Sequence, residues 1–287
     1  MMGYLIYRMM GWIVITFPKR LTYKMAVFIA GLFYLFCWGN RKALAGNLRY
    51  AFPEKNAGFI NFYARLTFRN FAKYLVDFFR FDKFDREAME REVTITGIEH
   101  VEGCLKKGHG LITVTAHLGN WELGGVIMAL LGYKFNVVAL SHDSPEVDGL
   151  FVHQRENKGV RVIPLGQAVS RCLKVLRNNE LIALLGDRYI GGGEISVPFF
   201  GQEASIPRGP ASLSVHTQAP ILPGFLVRRR DDKFSLILER PLDEVEVTDK
   251  EEKIKRLTSE MVKVIEKYIR RYPGQWFMFY PIWKEAR

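Results

Sequence analysis

Hydrophobic and polar positions follow three regimes along the chain. Up to residue 39 the apolar positions are almost unbroken. One run covers residues 5–17, interrupted by Arg8; a second covers 25–39, bounded by Lys24 and Arg41. Over residues 41–90 the apolar positions space out at helical intervals, with Tyr63, Leu66, Thr67, Asn70, Phe71, Tyr74 and Leu75 on one stripe. From residue 93 short β-rich runs take turns with helical ones. Strands are expected at 93–96, 111–115, 136–140, 161–164, 181–185, 221–227 and 234–238, and helices at 121–131, 146–158, 167–178 and 208–218. This alternation predicts an α/β fold, a mixed, mostly parallel sheet flanked by helices. The final helix carries a capping box at Thr248-Asp249-Lys250-Glu251, and Ile254, Leu257, Met261, Val264, Ile265 and Tyr268 form its apolar stripe. Pro273-Gly274 ends it.

The length of 287 residues suits one large domain or two small ones, and a 48% hydrophobic content can bury a sizeable core. Charge divides the chain unevenly. Residues 1–80 hold twelve Lys or Arg against two acids, Glu54 and Asp77, so they carry +10 of the net +11. A basic segment of this kind predicts an anionic partner. Its aromatic residues, among them Trp12, Phe28, Phe33 and Trp38, lie in the apolar runs and not beside dense Arg clusters. Membrane phospholipid, not nucleic acid, is therefore the expected partner. The second run would span about 22 Å as a helix, short of the ~30 Å hydrocarbon core. A short anchoring helix, a helix pair sunk in one leaflet and a buried core helix all fit this length. The first run starts almost at Met1 with no small-residue cleavage pattern after it, so residues 1–39 are expected to be a retained N-terminal membrane attachment. More basic residues follow it than precede it, which orients residues 40–287 to the cytoplasmic side of the membrane. Cys37, Cys104 and Cys172 are isolated, which argues against a zinc site or a disulfide framework and for a reducing compartment.

Chemistry concentrates where the strand 111–115 gives way to a helix. Thr115-Ala116-His117-Leu118-Gly119-Asn120-Trp121-Glu122 holds an H-x4-E element, with Asn120 as the expected N-cap. A five-residue spacing on a continuous helix would separate the two side chains by about 140°. They converge only if His117 lies in the turn and Glu122 in the first helical turn, where negative charge is favoured. Alone the spacing is equally that of a capped helix with a packed histidine. Arg155 sits in a polar helix before Gly159. Leu181 to Leu185 reads as a buried strand, and the Gly186-Asp187-Arg188 that follows lies at its carboxyl end, where α/β folds gather ligands. Gly191-Gly192-Gly193 lacks the context of a nucleotide-binding loop. Val197-Pro198-Phe199-Phe200-Gly201 presents two aromatics between turn residues, as core packing or as lining for an apolar ligand. The aromatic tail Pro273-Gly274-Gln275-Trp276-Phe277 is too short for its own core and must dock on the body or on a membrane.

In order along nearly the whole chain, these segments resemble the lauroyl/myristoyl acyltransferases of late lipid A biosynthesis. The resemblance is carried by Gly46-Asn47-Leu48-Arg49 with Ala51-Phe52-Pro53-Glu54, by His117 to Glu122, Arg155 before Gly159, and Gly186-Asp187. It continues through Val197 to Gly201, Gly209-Pro210-Ala211, and Tyr272-Pro273-Gly274-Gln275-Trp276 with Trp283-Lys284. That family is similar in turn to glycerolipid acyltransferases, which share the H-x4-D/E element and an α/β fold. The resemblance implies an acyltransferase domain over residues 40–287. It implies transfer of a fatty acyl chain from a thioester, on acyl carrier protein in preference to coenzyme A, to a glycolipid hydroxyl at the inner (cytoplasmic) membrane, without metal or cofactor. His117, Glu122, Arg155 and Asp187 fall on the family's functional positions. His117 is the expected general base, Glu122 its first expected partner and Asp187 the second. Arg155 or backbone N–H groups near Gly119 are the expected oxyanion donors, and Asn120, Arg188, Phe199, Phe200 and Arg208 the expected substrate contacts. Departures from the family pattern at Arg188, Arg208 and Phe277 to Pro281 leave the acceptor open between a lipid A precursor and glycolipids such as phosphatidylinositol mannosides. A thioesterase using the same base on water, and a membrane lipid-binding protein with a structural histidine, are the competing classes.

Overall fold

Seven strands form one sheet, and its central runs 111–115 and 221–228 are covered on both faces. The strands are β1 (Val93–Thr96), β2 (Leu111–Thr115), β3 (Phe135–Ala139), β4 (Arg161–Pro164), β5 (Leu181–Leu185), β8 (Ile221–Arg228) and β9 (Phe234–Leu238). Their order is β1-β9-β8-β2-β5-β3-β4, and every pairing is parallel except β8 with β9. The computed structural model describes residues 2–189, 193–243 and 246–283. Gly191 and Gly192 of the expected glycine loop, and Lys284 of the Trp283-Lys284 ending, lie outside the described residues.

The predicted strands are all present within a residue at either end. One element was not foreseen: β6 (Glu194–Phe199) and β7 (Gln202–Pro207) pair as a separate antiparallel hairpin. Phe200 and Gly201, at φ 53° and 77°, form its two-residue turn. Helices α7 (Trp121–Leu130), α8 (Pro145–Glu156), α9 (Ala168–Arg177) and α10 (Gly209–Thr217) follow the strands as expected, and α11 (Lys250–Arg271) closes the fold. Its cap lies one residue later than the capping box implies. Asp249, not Thr248, is the N-cap and accepts from the Glu252 N–H at 2.8 Å.

The first eighty residues fold as α1 (Met2–Thr16), α2 (Lys19–Phe36), α3 (Trp38–Ala51) and α4 (Ala57–Phe79); α5 (Arg86–Glu92) and α6 (Ile98–Leu105) flank β1. Within residues 1–39, Val14, Tyr23, Ala30 and Tyr34 are buried in the cores that include the sheet. Arg80 donates to the Val14 and Phe17 carbonyls and Lys83 to that of Ile15, which satisfies the otherwise open carbonyls of the α1 C-terminus. The outward faces are apolar. Fourteen of the nineteen exposed large hydrophobic side chains among the described residues lie between Leu5 and Trp38. A patch of this extent marks an interaction surface. No single described helix is long and apolar enough to cross a membrane; α2 and α3 together pass in length and composition but bend by 90° at Cys37.

A buried ion pair ties α2 and α4 to the sheet. The Arg228 guanidinium, at the end of β8, donates to the Asp77 carboxylate and, at 2.9 Å, to the Tyr23 hydroxyl, which itself donates to Asp77. The Asn120 amide adds a bond to Asp77 at 3.2 Å. Each group is more than nine-tenths buried, so neither charge has water to fall back on. We expect Asp77→Ala to lower unfolding free energy by about 3–5 kcal/mol, because Arg228 is left buried and unpaired. Urea unfolding of the full chain measures it. A loss below about 1 kcal/mol would mean that water reaches Arg228 after all.

Candidate active site

The register of the central strands brings the two strongest candidates together. In the parallel pair of β2 and β5, Thr115 stands opposite Leu185, and the Gly186 N–H continues the ladder to the Thr115 carbonyl at 2.8 Å. His117 and Asp187 each lie two residues further on. His117 Nδ1 is 2.8 Å from Asp187 Oδ1, and the His117 backbone N–H donates to Asp187 Oδ2 at 2.9 Å. The Trp276 indole N–H donates to the same Oδ2 at 3.0 Å. These donors satisfy a carboxylate whose side chain is 0% exposed. With Nδ1 engaged, Nε2 is the ring nitrogen left for a substrate proton.

Glu122 does not hold the imidazole. It lies in the first turn of α7 and binds Arg155 of α8 through two parallel bonds, from Nε at 2.8 Å and Nη2 at 2.7 Å. The expected order of partners is therefore reversed: Asp187 pairs with His117, and Glu122 pairs with Arg155. The reason is geometric. The turn before α7 carries His117 towards β5, whereas the first turn of α7 faces α8. Burial pulls the Arg155 guanidinium down, but the charge and hydrogen bonds of Glu122 outweigh it and hold Arg155 above the ordinary arginine range. Burial, with the Glu122 charge second, pushes the neighbouring Tyr74 hydroxyl well above the ordinary tyrosine range. Tyr74 also stacks on Trp121, with ring centroids 4.7 Å apart.

The turn itself is fixed on every side. Gly119 has φ +69°, and a Cβ there would sit 2.0 Å from the Leu226 carbonyl oxygen, so glycine is required. Its N–H donates to the Gln275 carbonyl, that of Leu118 to Ala116 and that of Asn120 to Leu226. The N–H groups proposed near Gly119 as oxyanion donors are thus already committed. Asn120 caps α7 as expected, accepting from the Leu123 N–H at 3.0 Å, but it is 1% exposed and also holds Asp77, so it is a capping residue and not a substrate contact. The aromatic tail docks on this turn: the Phe277 N–H donates to the His117 carbonyl at 2.7 Å. Trp276 was not foreseen as a site residue; its place in the Pro273-Gly274-Gln275-Trp276 signature was the available signal.

A cavity of about 270 Å³ opens at the carboxyl ends of the strands and is lined by Thr115, His117, Glu122, Arg155 and Arg188 on its polar side. Its apolar side is built from Phe135, Val137, Leu140, Phe151, Leu184 and Leu185. The Thr115 hydroxyl is buried there without a hydrogen-bond partner. The Arg188 guanidinium lies 3.8 Å over the Tyr280 ring. Three expected substrate contacts are elsewhere. Phe199 stacks on Trp283 at 5.5 Å in the core, behind Trp276, and Phe200 is in the hairpin turn with its N–H bonded to Glu266. Arg208 begins α10 and pairs with Glu251. Core packing won over ligand lining for the two phenylalanines because the aromatic tail covers them. The constellation is a base with its carboxylate, two cations and an apolar hollow, which suits proton removal beside a group with a long apolar part.

The chain is similar in sequence to known acyltransferases. The sequence model of the bacterial lipid A biosynthesis acyltransferase family matches residues 1–285. A phosphatidylinositol mannoside acyltransferase of Mycolicibacterium smegmatis is 26% identical over 278 residues, 95% of this chain and 89% of that protein. A lipid A biosynthesis acyltransferase of Haemophilus influenzae is 22% identical over 141 residues, 49% of this chain and 44% of that protein. The crystal structure of the 1-acyl-sn-glycerophosphate acyltransferase from Thermotoga maritima aligns with 88% of this chain and 98% of that one, at 14% identity and a TM-score of 0.42. On a match that runs over almost every residue, with the His117 and Glu122 element inside it, the chain belongs to the bacterial lipid A biosynthesis acyltransferase family.

Proposed function

We propose that the protein moves a fatty acyl chain from an acyl thioester to a hydroxyl of a membrane glycolipid. The observation that carries this reading is that His117, paired with the buried Asp187, lines a cavity that also has an apolar lining. An alcohol is a poor nucleophile at neutral pH. His117 Nε2 takes the hydroxyl proton as the oxygen attacks the thioester carbonyl. Asp187 fixes the tautomer through Nδ1 and offsets the imidazolium charge, the arrangement of a serine-hydrolase triad with the substrate in place of the serine. The tetrahedral oxyanion meets Arg155, held in place by Glu122, and Arg188. Collapse breaks the carbon–sulfur bond; the leaving thiolate takes the proton from His117, giving one ester and one thiol. No acyl-enzyme, metal or cofactor enters this scheme.

The apolar side of the cavity, from Phe135 to Leu185, takes the acyl chain. The acceptor is a lipid A precursor or a phosphatidylinositol-mannoside-like glycolipid; both kinds of acceptor appear in the names of the relatives. The exposed apolar faces of α1 and α2 support their resting in one leaflet of the inner membrane, with the catalytic cavity on the cytoplasmic side. Acyl carrier protein, which is acidic, suits the +10 charge of residues 1–80 better than coenzyme A does. Transfer from the carrier protein is then expected to fall more steeply with ionic strength than transfer from the coenzyme A thioester. Equal salt dependence of the two rates removes the carrier-protein preference.

Purified protein incubated with labelled acyl thioester and each glycolipid tests the reaction. We expect an ester product only when acceptor is present, and free fatty acid with water as sole acceptor would identify a thioesterase instead. His117→Ala should lower kcat by about 10²–10⁴-fold with an unchanged circular dichroism spectrum. Turnover close to that of the unaltered protein would remove His117 from the role of base.

The two carboxylates should separate kinetically. Asp187→Asn acts on the imidazolium and is expected to lower kcat by about 10²-fold or more with little change in KM. Glu122→Gln loosens Arg155, one of two oxyanion donors, so a smaller fall in kcat, also with little change in KM, is expected. A fall as large as that from Asp187→Asn, with the same change in pH profile, would return Glu122 to the role of histidine partner.

A further inference from the structure

A second concave site lies far along the chain from the His117 cavity, at the 90° break between α2 and α3. A groove of about 470 Å³ there is lined by Tyr34, Leu35, Trp38, Arg41, Lys42, Ala45, Arg49, Asn61 and Arg65. Four of these carry positive charge and none is acidic. Among the described residues, no carboxylate pairs with Arg41, Lys42, Arg49 or Arg65, whereas Arg155 and Arg228 each hold one. Two of the cations share one aromatic partner. The Arg41 and Arg65 guanidinium groups lie 5.3 Å and 5.4 Å from the same Tyr34 ring, and Arg41 Nη1 also donates to the Tyr34 carbonyl at 3.4 Å. Like charges gathered without a counter-ion repel one another, and an anion placed between them removes that repulsion while gaining charge-assisted hydrogen bonds.

We propose that this groove binds the phosphate of an anionic phospholipid headgroup. The two arginines offer planar forks that match phosphate oxygens, and the Asn61 amide lies within the same lining. The rim decides for a lipid over a soluble phosphate. Leu35, Phe36 and Trp38 are 61%, 81% and 66% exposed, so apolar and aromatic side chains stand where acyl chains would continue from the headgroup. The phosphate would thereby sit at the bend that turns the apolar α2 into the more polar α3. It would fix the depth at which the N-terminal helices lie, independently of the acyl-transfer chemistry. The proposal rests on the reading that α1 and α2 contact a membrane.

Calorimetric titration of the full chain in a neutral detergent tests it, with short-chain phosphatidylglycerol, short-chain phosphatidylcholine and glycerol 3-phosphate as probes. Saturable binding of phosphatidylglycerol, at least tenfold tighter than either other probe, is expected. Each basic side chain at an anionic lipid surface contributes roughly fivefold, so the double variant Arg41→Gln, Arg65→Gln should weaken binding by about 25-fold. Lys174→Gln with Lys255→Gln removes the same charge from α9 and α11 and should change it less than twofold. If the arginine variant does not fold, Lys42→Gln with Arg49→Gln carries the same expectation. Equal losses from groove and control variants would reduce the effect to diffuse charge and overturn the site. Glycerol 3-phosphate binding as tightly as the lipid would overturn the lipid assignment. An acidic carrier protein that displaces the lipid and loses its own binding in the groove variants would make the occupant a protein. Binding of no lipid probe, together with absence of the chain from liposome fractions, would overturn the membrane reading along with the groove.

Discussion

The Asp187 carboxylate has no solvent to compensate its charge, so protein donors must do so, and the structure around the site is arranged to supply them. The carboxylate and its donors come from three parts of the chain that are distant in sequence. The imidazole and backbone N–H of His117 follow β2, Asp187 follows β5, and the Trp276 indole belongs to the C-terminal tail. The sheet register brings the first two together, and the tail covers them. One requirement therefore accounts for the Gly119 turn, the docking of Gln275 and Phe277 on that turn, and the burial of Phe199 behind Trp276.

The N-terminal helices enter the same network from the other side. Asp77 on α4 holds Tyr23 on α2, Arg228 on β8 and Asn120, the residue that caps α7. Arg228 also exchanges two backbone bonds with the Gln275 side chain, both at 2.8 Å. A displacement of α2 is thus felt at the cap of the helix that carries Glu122, through contiguous polar contacts. Through these bonds α2 is tied to the body that carries the site, while its outer face keeps exposed apolar side chains such as Phe28, Phe33 and Phe36.

Local pattern made most of the fold legible. Leu181–Leu185 is an unbroken apolar run between Glu180 and Gly186, Leu111–Thr115 is a run of apolar and β-branched residues after Gly110, and Asn120 marks the start of α7 three residues after His117. The hairpin of residues 194–207 was hidden because Pro198 and the Phe199-Phe200 pair break the alternation that marks a strand, and the turn relies on Phe200 in a left-handed conformation that sequence seldom reveals. The choice between Glu122 and Asp187 as the partner of His117 was not local at all. It depends on which strand lies beside β2, a consequence of strand order, and proximity along the chain favoured the wrong carboxylate. Phe199 and Phe200 stand within a family signature and Arg208 departs from it, and the three serve core packing, a hairpin turn and an ion pair away from the cavity.

The central claim is that one base and its buried carboxylate add one acyl chain to one lipid. Mass spectrometry of total lipids from cells lacking the gene, and from the same cells carrying either the unaltered gene or the His117→Ala variant, tests it most directly. The account predicts a glycolipid lighter by a single fatty acyl residue in the deficient cells, restored by the unaltered gene and not by the variant. Restoration by the variant, or an unchanged acylation pattern in the deficient cells, would contradict it.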